Sequence, residues 1–363
     1  MQVSNITIIG LGLIGGSLGK ALVKLGYRVT AVDDDPATLQ LGLDTGAACT
    51  ATEDIRLGLA EAQVVILAVP IGSMSTVLKA VAPNLRPGMI VTDVGSVKSD
   101  VMAQIEDLLP DGVDFVGGHP MAGTEQVGVG GADPLMFTNA YYVLTQGPNC
   151  SQHGLETVVQ LVQQIGAVPV IMDSVTHDRA VAALSHLPHL VAVALAQTAG
   201  SLEEEHPGSL DLAAGSFRDG TRVAESSPRM WRDICLANRE QILASLEAFR
   251  ERLDQLEQAV SSGDGEQIAA AFNQGRLVKE LYRSRVKRKL AEVHEVVVSV
   301  PDQPGVLGTV ASSLAQANIN IANIEILRGR EGFAGSLALG FRGDTVERAL
   351  ATIRALGLPA FVR

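Results

Sequence analysis

The stretch that decides the fold runs from Ile6 to Asp33 and reads ITIIGLGLIGGSLGKALVKLGYRVTAVD. An apolar strand enters the pattern G-x-G-x-x-G, an apolar helical segment follows, and a second strand ends in an acidic residue. This order of elements is the full context of the dinucleotide-binding fingerprint, whereas the glycine pattern alone is weak. A glycine-rich turn without a ligand is the alternative. It is disfavoured because the strand, the glycines, the helix and the acidic residue all occur in the order that the fingerprint requires.

Each glycine of the fingerprint has a mechanical role. Gly10 permits the tight turn, Gly12 lets the backbone approach a pyrophosphate, and Gly15 allows the helix to lie against the sheet. The helix begins around Leu13 and Ile14, so the pyrophosphate is expected on the backbone amides of its first turn.

The acidic residue at the end of the second strand selects the cofactor. Asp33 is placed to accept hydrogen bonds from the adenosine ribose hydroxyls, and its carboxylate would repel a 2′-phosphate. The sequence therefore predicts NAD rather than NADP.

Bulk properties limit the class of partner. The 363 residues are too many for one ordinary core, so two or three domains are expected. A net charge of −12 argues against nucleic acid or an anionic membrane and favours a small-molecule substrate. Cys49, Cys150 and Cys235 are far apart and lack C-x-x-C spacing, which is typical of reduced thiols. No leader is recognised and no segment approaches membrane-spanning length, so a cytoplasmic protein is expected.

Further strands build one ligand-binding edge. The continuous apolar run Ala62–Pro70 is typical of a parallel strand buried on both faces. Ligands of open α/β sheets bind outside the carboxyl ends of the strands, so Val69 and Pro70 should border the cofactor, with Ser96 and His119 along the same crevice. We expect this Rossmann-type domain to span residues 1–173.

The middle of the chain changes to helical periodicity over residues 174–291. Pro188 should kink or break the helix that it interrupts, and Ser227–Pro228 is a helix start signal. The helix that starts there is expected to carry a heptad seam of Ile242, Leu246, Phe249, Leu253, Leu256 and Val260. An intrachain core face and a dimer contact are equally open interpretations of this seam.

The last segment, residues 292–363, has the order βαββαβ, which is typical of a small ferredoxin-like domain. We find no catalytic constellation in it. The predicted fold class is thus α/β: a Rossmann-type dinucleotide-binding domain, an all-α helical domain and a small α+β domain.

Two polar side chains at the sheet edge are candidates for catalysis. His119 follows a strand directly, and a histidine near neutral pH is the usual general base for oxidising an alcohol. The Ser96 hydroxyl, on the neighbouring loop, is placed to orient that imidazole. A histidine packed only for structural reasons is the alternative, but its position at the carboxyl edge favours function.

Candidates also lie in the helical segment. His186 and His189 invite a metal interpretation, but no carboxylate or thiolate accompanies them at ligand spacing, so no metal site is predicted. Arg222, in a predicted polar loop, is suited to holding a substrate carboxylate bidentately. A surface arginine paired with Asp219 is the simpler alternative.

Taken together, these motifs resemble the prephenate/arogenate dehydrogenase family of tyrosine biosynthesis, in the form that carries a C-terminal ACT domain. They are GLGLIGGS at 10–17, DVGSVK at 93–98, GHPMAGTE at 118–125, SHLPH at 185–189, and DGTR at 219–222 leading to MWRD at 230–233. The likeness covers essentially the whole chain. The sequence departs from the family at Gly220, where a larger residue is common.

The resemblance implies roles for individual residues. His119 would accept the proton of the substrate's ring hydroxyl, with Ser96 beside it. The implied substrate-binding set is Arg222, His189, Thr124 and Glu125. The helical domain would form a homodimer. The ACT domain would bind an amino acid as feedback effector, with tyrosine, the pathway's end product, as the natural candidate. Its implied effector residues are Asp302, Gly305, Val306, Leu307 and Asn318.

The implied activity is the NAD-dependent oxidative decarboxylation of prephenate to 4-hydroxyphenylpyruvate. Arogenate, which would give tyrosine directly, is the alternative substrate. A serine-pathway phosphoglycerate dehydrogenase also joins a Rossmann fold to an ACT domain, but its fingerprint lies in mid-chain. A non-catalytic sensor of NAD and amino acids is the remaining alternative, and it would have no use for His119, Ser96 and Arg222 around one crevice.

Overall fold

An eight-stranded sheet organises the first part of the chain, in the order β3-β2-β1-β4-β5-β6-β7-β8. The computed structural model describes residues 3–106, 108–124, 126–147, 150–289, 293–301, 303–327 and 335–362. The strands are β1 Asn5–Ile9, β2 Arg28–Val32, β3 Thr50–Thr52, β4 Val64–Leu67, β5 Ile90–Asp93, β6 Asp114–Pro120, β7 Tyr141–Gln146 and β8 Val168–Ile171. Neighbouring strands are parallel except β6 and β7, which run antiparallel.

Helices cover both faces of this sheet. They are α1 Leu13–Lys24, α2 Pro36–Asp44, α3 Ile55–Gly58, α4 Met74–Val81, α5 Ser99–Glu106 and α6 Gln152–Gln164. Strand β4 shows why its run is apolar throughout: Val64 and Ile66 belong to the core on one face, and Val65 and Leu67 to the core on the other. Successive strand residues point to opposite faces, so a strand covered on both sides must be apolar at every position.

The carboxyl ends of β1, β4, β5 and β6 meet at one edge of the sheet, as predicted, because these strands are parallel. Strand β6 runs two residues further than expected, so His119 lies within it and is paired with Val143 of β7. Of the described strands, β3 and β8 lie at the two edges of the sheet.

A helical segment follows the sheet. Its helices are α7 Ser174–Val181, α8 Leu187–Glu205, α9 Gly215–Thr221, α10 Pro228–Ala237 and α11 Arg239–Ser261. Pro188 does not break the chain of helices, because a π-helical turn over Ala182–His186 joins α7 to α8 and leaves the proline at the second position of α8, where its missing amide is tolerated. Ser227 caps α10 as expected.

The predicted heptad seam does not lie on the helix that starts at Pro228, because that helix ends at Ala237 and α11 begins after Asn238. Along α11, Ile242 is buried, whereas Leu253 is 50% and Val260 66% exposed. The seam is therefore covered at its start and open towards its end.

The helical rod Ser174–Glu205 is long and apolar enough, by length and composition, to cross a bilayer. Of its apolar 18-residue segment, 22% is buried in the protein. The expectation that no segment approaches that length was wrong on this measure. Its buried polar residues, His177, Asp178 and His186, contact other elements of the protein.

By residue contacts the chain divides into Met1–Arg252 and Leu253–Arg363. The second unit contains α12 Gly265–Lys289, β9 Val293–Val300, α13 Val306–Gln316, β10 Asn323–Leu327, β11 Gly335–Arg342, α14 Val346–Ala355 and β12 Ala360–Val362. The four strands are antiparallel in the order β10-β11-β9-β12. This confirms the predicted ferredoxin-like βαββαβ unit, and helices α13 and α14 pack on one core with its strands. The domain boundaries at 173 and 291 stay a prediction.

Candidate active site

A cavity of about 390 Å³ lies at the fingerprint, where the cofactor is expected. Gly10 has φ +91°, and a Cβ there would lie 2.5 Å from the Ala68 carbonyl oxygen, so only glycine fits this turn. Gly12 precedes the first turn of α1, and no atom lies within 4 Å of the Cβ that a side chain would add. The first amides of α1 thus meet open space of the kind that a pyrophosphate needs.

Acidic groups line part of this cavity. Asp33, Asp34 and Glu53 all border it, together with Val69 and Pro70 from the loop after β4. One oxygen of Asp33 accepts a hydrogen bond from the Leu11 amide at 2.7 Å. The carboxylate therefore holds the glycine turn and borders the cavity at once, and the acidic surroundings disfavour a 2′-phosphate.

A chain of three side chains ends at His119. Its Nδ1 lies 2.8 Å from Nε2 of His177, and Nδ1 of His177 lies 2.7 Å from the Asp178 carboxylate. Because a carboxylate only accepts, His177 carries its proton on Nδ1, and with both rings neutral its Nε2 accepts from Nδ1–H of His119. The free nitrogen of His119 is then Nε2, which holds a lone pair able to accept a proton.

Asp178 is fixed at the start of α5. Its two oxygens accept hydrogen bonds from the backbone amides of Lys98 at 2.8 Å and Ser99 at 2.7 Å. Burial by itself would raise the pKa of Asp178, but the hydrogen bonds from His177 and from these amides outweigh it and lower the pKa. Asp178 is thus an ionised anchor that orients His177 and, through it, His119.

The environment keeps His119 neutral. Burial is the largest cause that lowers its pKa well below the ordinary value, followed by the neighbouring His177 and Lys98. An imidazole with a lowered pKa remains unprotonated throughout the neutral range, which is the form that a general base requires.

A buried ion pair supports the loop after β5. Asp93 accepts from Lys98 Nζ, from the Gly95 amide at 2.8 Å and from the Gly118 amide at 3.0 Å. Burial lowers the pKa of Lys98, and Asp93 opposes that shift. This network ties the loop that carries Ser96 to the residue before His119. Among the described residues, the hydrogen-bond partner of His119 is His177 rather than Ser96, so the predicted orienting role of Ser96 stays a prediction.

An aromatic group flanks His189. Its ring stacks on Trp231 with centroids 3.8 Å apart, and its Nδ1 donates to the Ser185 carbonyl at 2.9 Å. The indole Nε1–H of Trp231 is buried and has no hydrogen-bond partner among the described residues.

The buried Asn238 joins the elements around this aromatic group. Its amide nitrogen donates to the Asp178 carbonyl at 2.9 Å and to Nδ1 of His186 at 3.1 Å. Burial lowers the pKa of His186 to about 4, so this ring is neutral and serves the framework.

The predicted carboxylate-binding residue Arg222 lies in the helical segment. Arg222 is exposed and lies where α9 meets a 3₁₀ turn, Arg222–Glu225, that packs against α8; the predicted polar loop around it is helical. Asp219 contacts Arg218 at 3.3 Å.

Gly220 has open space at its Cβ position, so no contact demands glycine there. The Thr124 hydroxyl accepts from the Gln126 amide, and Glu125 lies outside the described residues.

The sequence did not indicate His177, Asp178 or Asn238, and it gave Trp231 no role. The one available signal was the adjacent His-Asp pair near the start of the helix after Asp173. Within the described ranges, no group of three or more histidine, cysteine, aspartate or glutamate side chains is arranged to hold a metal ion.

The second unit offers a separate apolar cavity of about 280 Å³, lined among others by Leu307, Ile321, Ile324, Leu337 and Leu339. Gly305, with φ +87°, begins α13 beside it. Of the other predicted effector residues, Val306 packs on the core, Asn318 lies in a turn with φ 54°, and Asp302 is outside the described residues.

Comparison with known proteins agrees with this geometry. Family models match three consecutive parts of the chain: the prephenate dehydrogenase nucleotide-binding domain at 18–171, the prephenate dehydrogenase dimerization domain at 173–274, and the ACT domain at 294–356. A Bacillus subtilis prephenate dehydrogenase is 34% identical over 94% of this chain and 92% of its own length. The chain belongs to the prephenate dehydrogenase family.

Solved structures of the family share its fold. The Aquifex aeolicus prephenate dehydrogenase in complex with hydroxyphenyl propionate and NAD⁺ is 29% identical, with a TM-score of 0.71 over 78% of this chain and 99% of that one. The Synechocystis arogenate dehydrogenase is 31% identical, with a TM-score of 0.69 over 77% and 99%. The chain is thus an NAD-dependent oxidoreductase, which rules out the sensor and phosphoglycerate dehydrogenase interpretations.

Proposed function

We propose that the chain catalyses the NAD-dependent oxidative decarboxylation of prephenate to 4-hydroxyphenylpyruvate. The observation that carries this proposal is the hydrogen-bonded series Asp178–His177–His119, which leaves a neutral imidazole nitrogen on β6, at the same carboxyl edge of the sheet as the fingerprint cavity.

The residues fit the chemistry in this order. Nε2 of His119 accepts the proton of the ring hydroxyl as the C–H electron pair departs as hydride from the same carbon. Bound NAD supplies the acceptor for that hydride. The ring carboxylate leaves as carbon dioxide, and its bonding electrons complete the aromatic ring as a phenolate, which takes the proton back from His119 to give the phenol of the product. As His119 becomes cationic, the ionised Asp178 favours the charge through His177.

Recognition of the side chain decides between prephenate and arogenate. His189 donates through Nδ1 to a carbonyl, which can only accept. If its ring is neutral, Nε2 accepts and suits the ammonium group of arogenate. If its ring is protonated, Nε2 donates and suits the keto acid of prephenate. This geometry makes arogenate dehydrogenation the second candidate function.

A spectrophotometric assay tests the proposal. NADH formation should be followed with prephenate and with arogenate. We expect turnover of prephenate, with a higher kcat/KM than for arogenate. Turnover of arogenate alone would transfer the function to the second candidate, and no turnover of either acid would overturn both.

Arg222 is proposed to bind a substrate carboxylate. A carboxylate clamp binds ground state and transition state alike, so Arg222→Ala should raise KM by about tenfold or more with a smaller change in kcat. Arg56→Ala removes an exposed charge from α3 and is the control, with KM unchanged. An unaltered KM in Arg222→Ala would show that another group binds the carboxylate.

We propose a cytoplasmic homodimer. The three described cysteines are free thiols, and the apolar surface of the rod Ser174–Glu205 and of α11 is largely open in the single chain. Contiguous apolar patches on a folded chain mark interaction sites. Neither nucleic acid nor a membrane is proposed as a partner.

We further propose that tyrosine regulates the enzyme through the ACT domain. The first amides of α13 lack intrahelical acceptors and suit a carboxylate, while the apolar cavity beside Leu307 suits an aromatic ring. Tyrosine inhibits only if it binds one conformation better than another, and prephenate must then weaken tyrosine binding by the same factor.

Filling the cavity tests this regulation. Gly308 lines it, and no atom lies within 4 Å of its Cβ position, so Gly308→Leu fits the helix and occupies the ligand's space. We expect tyrosine inhibition and calorimetric binding to weaken at least about tenfold while basal turnover remains. Gln316→Leu places the same side chain on the exposed end of α13 as control. Equal inhibition of Gly308→Leu, or of a chain ending near residue 291, would place tyrosine at the active site instead.

A further inference from the structure

The turn between β4 and α4 contacts three parts of the molecule. Pro70 and Ser73 line the cofactor cavity. Between them, the side chain of Ile71 lies against the loop that carries Ser96, since its Cδ1 is 3.2 Å from the position of a Cβ on Gly95. The remaining residue, Gly72, faces α10.

The approach of α10 to Gly72 is unusually close. A Cβ on Gly72 would lie 2.5 Å from Oδ2 and 2.8 Å from Cγ of Asp233, distances that real Cβ atoms do not show. Movement of the Asp233 side chain is restrained, because it is 11% exposed and its other oxygen accepts from Arg232 at 2.7 Å. The spacing between turn and helix is therefore fixed by the absence of a side chain at residue 72.

Helix α10 also carries Trp231, which stacks on His189. A shift of α10 away from the turn would therefore move the aromatic group that borders the proposed substrate site. The carboxylate of Asp233 lies near the first turn of the helical segment 71–81, where a negative charge is favoured.

We propose that the Gly72–Asp233 contact couples the cofactor pocket to the substrate helix, so that Gly72 and Asp233 are positioning residues for the reaction. The inference rests on the proposed function. Cofactor that fixes the Pro70–Ser73 turn would hold α10, and with it Trp231 and His189, in the geometry that binds substrate. By reciprocity, substrate would strengthen cofactor binding by the same factor.

Gly72→Ala in the full chain tests the coupling. We expect KM for the substrate to rise about tenfold, while the Kd of NADH measured alone changes less than about threefold. Calorimetry of hydroxyphenyl propionate with and without NADH should show cooperative binding in the unmodified chain and its loss in the variant. Gly130→Ala is the matched control, because its Cβ would meet only Leu41 Cδ2 at 3.8 Å.

A second substitution distinguishes a positioning role of Gly72 from a general destabilisation of the fold. Asp233→Ala removes the two atoms that the new Cβ would strike and leaves Asp233 Cβ at 3.4 Å, an ordinary contact. The double variant should therefore show the same substrate KM and cooperativity as Asp233→Ala alone. If the two substitutions acted independently, the double variant would instead show the sum of both losses. Asp233→Glu lengthens the side chain on α10 and so crowds the same contact. It should reproduce the loss of cooperativity, and it replaces Gly72→Ala in the test if that variant folds poorly.

The outcomes are distinct. Normal substrate KM and intact cooperativity in Gly72→Ala, or additive losses in the double variant, would overturn the coupling and leave the proposed function standing. Failure of the unmodified chain to oxidise either acid would overturn both.

Discussion

An asparagine in place of His119 should lower kcat by about 10²- to 10⁴-fold, the range typical of a lost general base. The asparagine amide occupies the position of Nδ1 and can still donate to Nε2 of His177, so the buried contact at 2.8 Å has a substitute. Nothing replaces Nε2, and the ring hydroxyl then has no acceptor for its proton. NADH binding should be kept, because the fingerprint cavity is lined by other residues.

The pH profile gives this prediction a second readout. A pKa lowered chiefly by burial keeps His119 neutral below its ordinary value of about 6.5. In the unmodified enzyme, activity should therefore be lost only as the pH falls through that lowered pKa. The corresponding limb should be absent from His119→Asn. His153→Asn, on the exposed face of α6, is the control and should keep both rate and profile. Near-normal turnover by His119→Asn would show that the base lies elsewhere.

Local patterns predicted the fold well because each reflects a local cause. The fingerprint alone predicts a strand, a turn and a helix in that order. The run through β4 is apolar at every position because both faces are buried. The βαββαβ order of the second unit is equally legible from periodicity, and the structure confirms it.

The break between α10 and α11 illustrates what could not be predicted. The apolar spacing continues across Asn238, so the sequence suggested one helix. The break is made by tertiary hydrogen bonds from Asn238 to the Asp178 carbonyl and to His186, residues more than 50 positions away. No local pattern contains that information.

The candidate site shows the same division. Topology placed His119 at the correct edge, because parallel strands end together. Its partner was predicted to be Ser96 from the neighbouring loop, whereas the structure places His177 there, 58 residues distant. A His-Asp pair in the first turns of a helix has the appearance of an ordinary polar surface, and only packing of α7 against α5 reveals it as buried.

The second large effect is expected at His177. His177→Leu removes the acceptor for Nδ1–H of His119 and the link to Asp178, so the imidazole loses its preferred tautomer and orientation. A small misplacement of a reacting group costs about 10²-fold, and we expect kcat to fall by about that factor with NADH binding retained. After burial, His177 is the next cause that lowers the pKa of His119. Replacing it changes the surroundings that set this pKa, so the acidic limb of kcat/KM should move.

His177→Gln is the matched variant, since its amide oxygen can occupy the place of Nε2 and accept from His119. It restores the first hydrogen bond but not the contact with the ionised Asp178, so its kcat should lie between those of the unmodified enzyme and His177→Leu. Rates from NADH formation over a pH series, with melting temperatures for each variant, make the comparison. If leucine and glutamine lower kcat equally and neither moves the acidic limb, His177 only fills space. A graded loss of kcat with a shifted limb would instead show that it sets the proton position on His119.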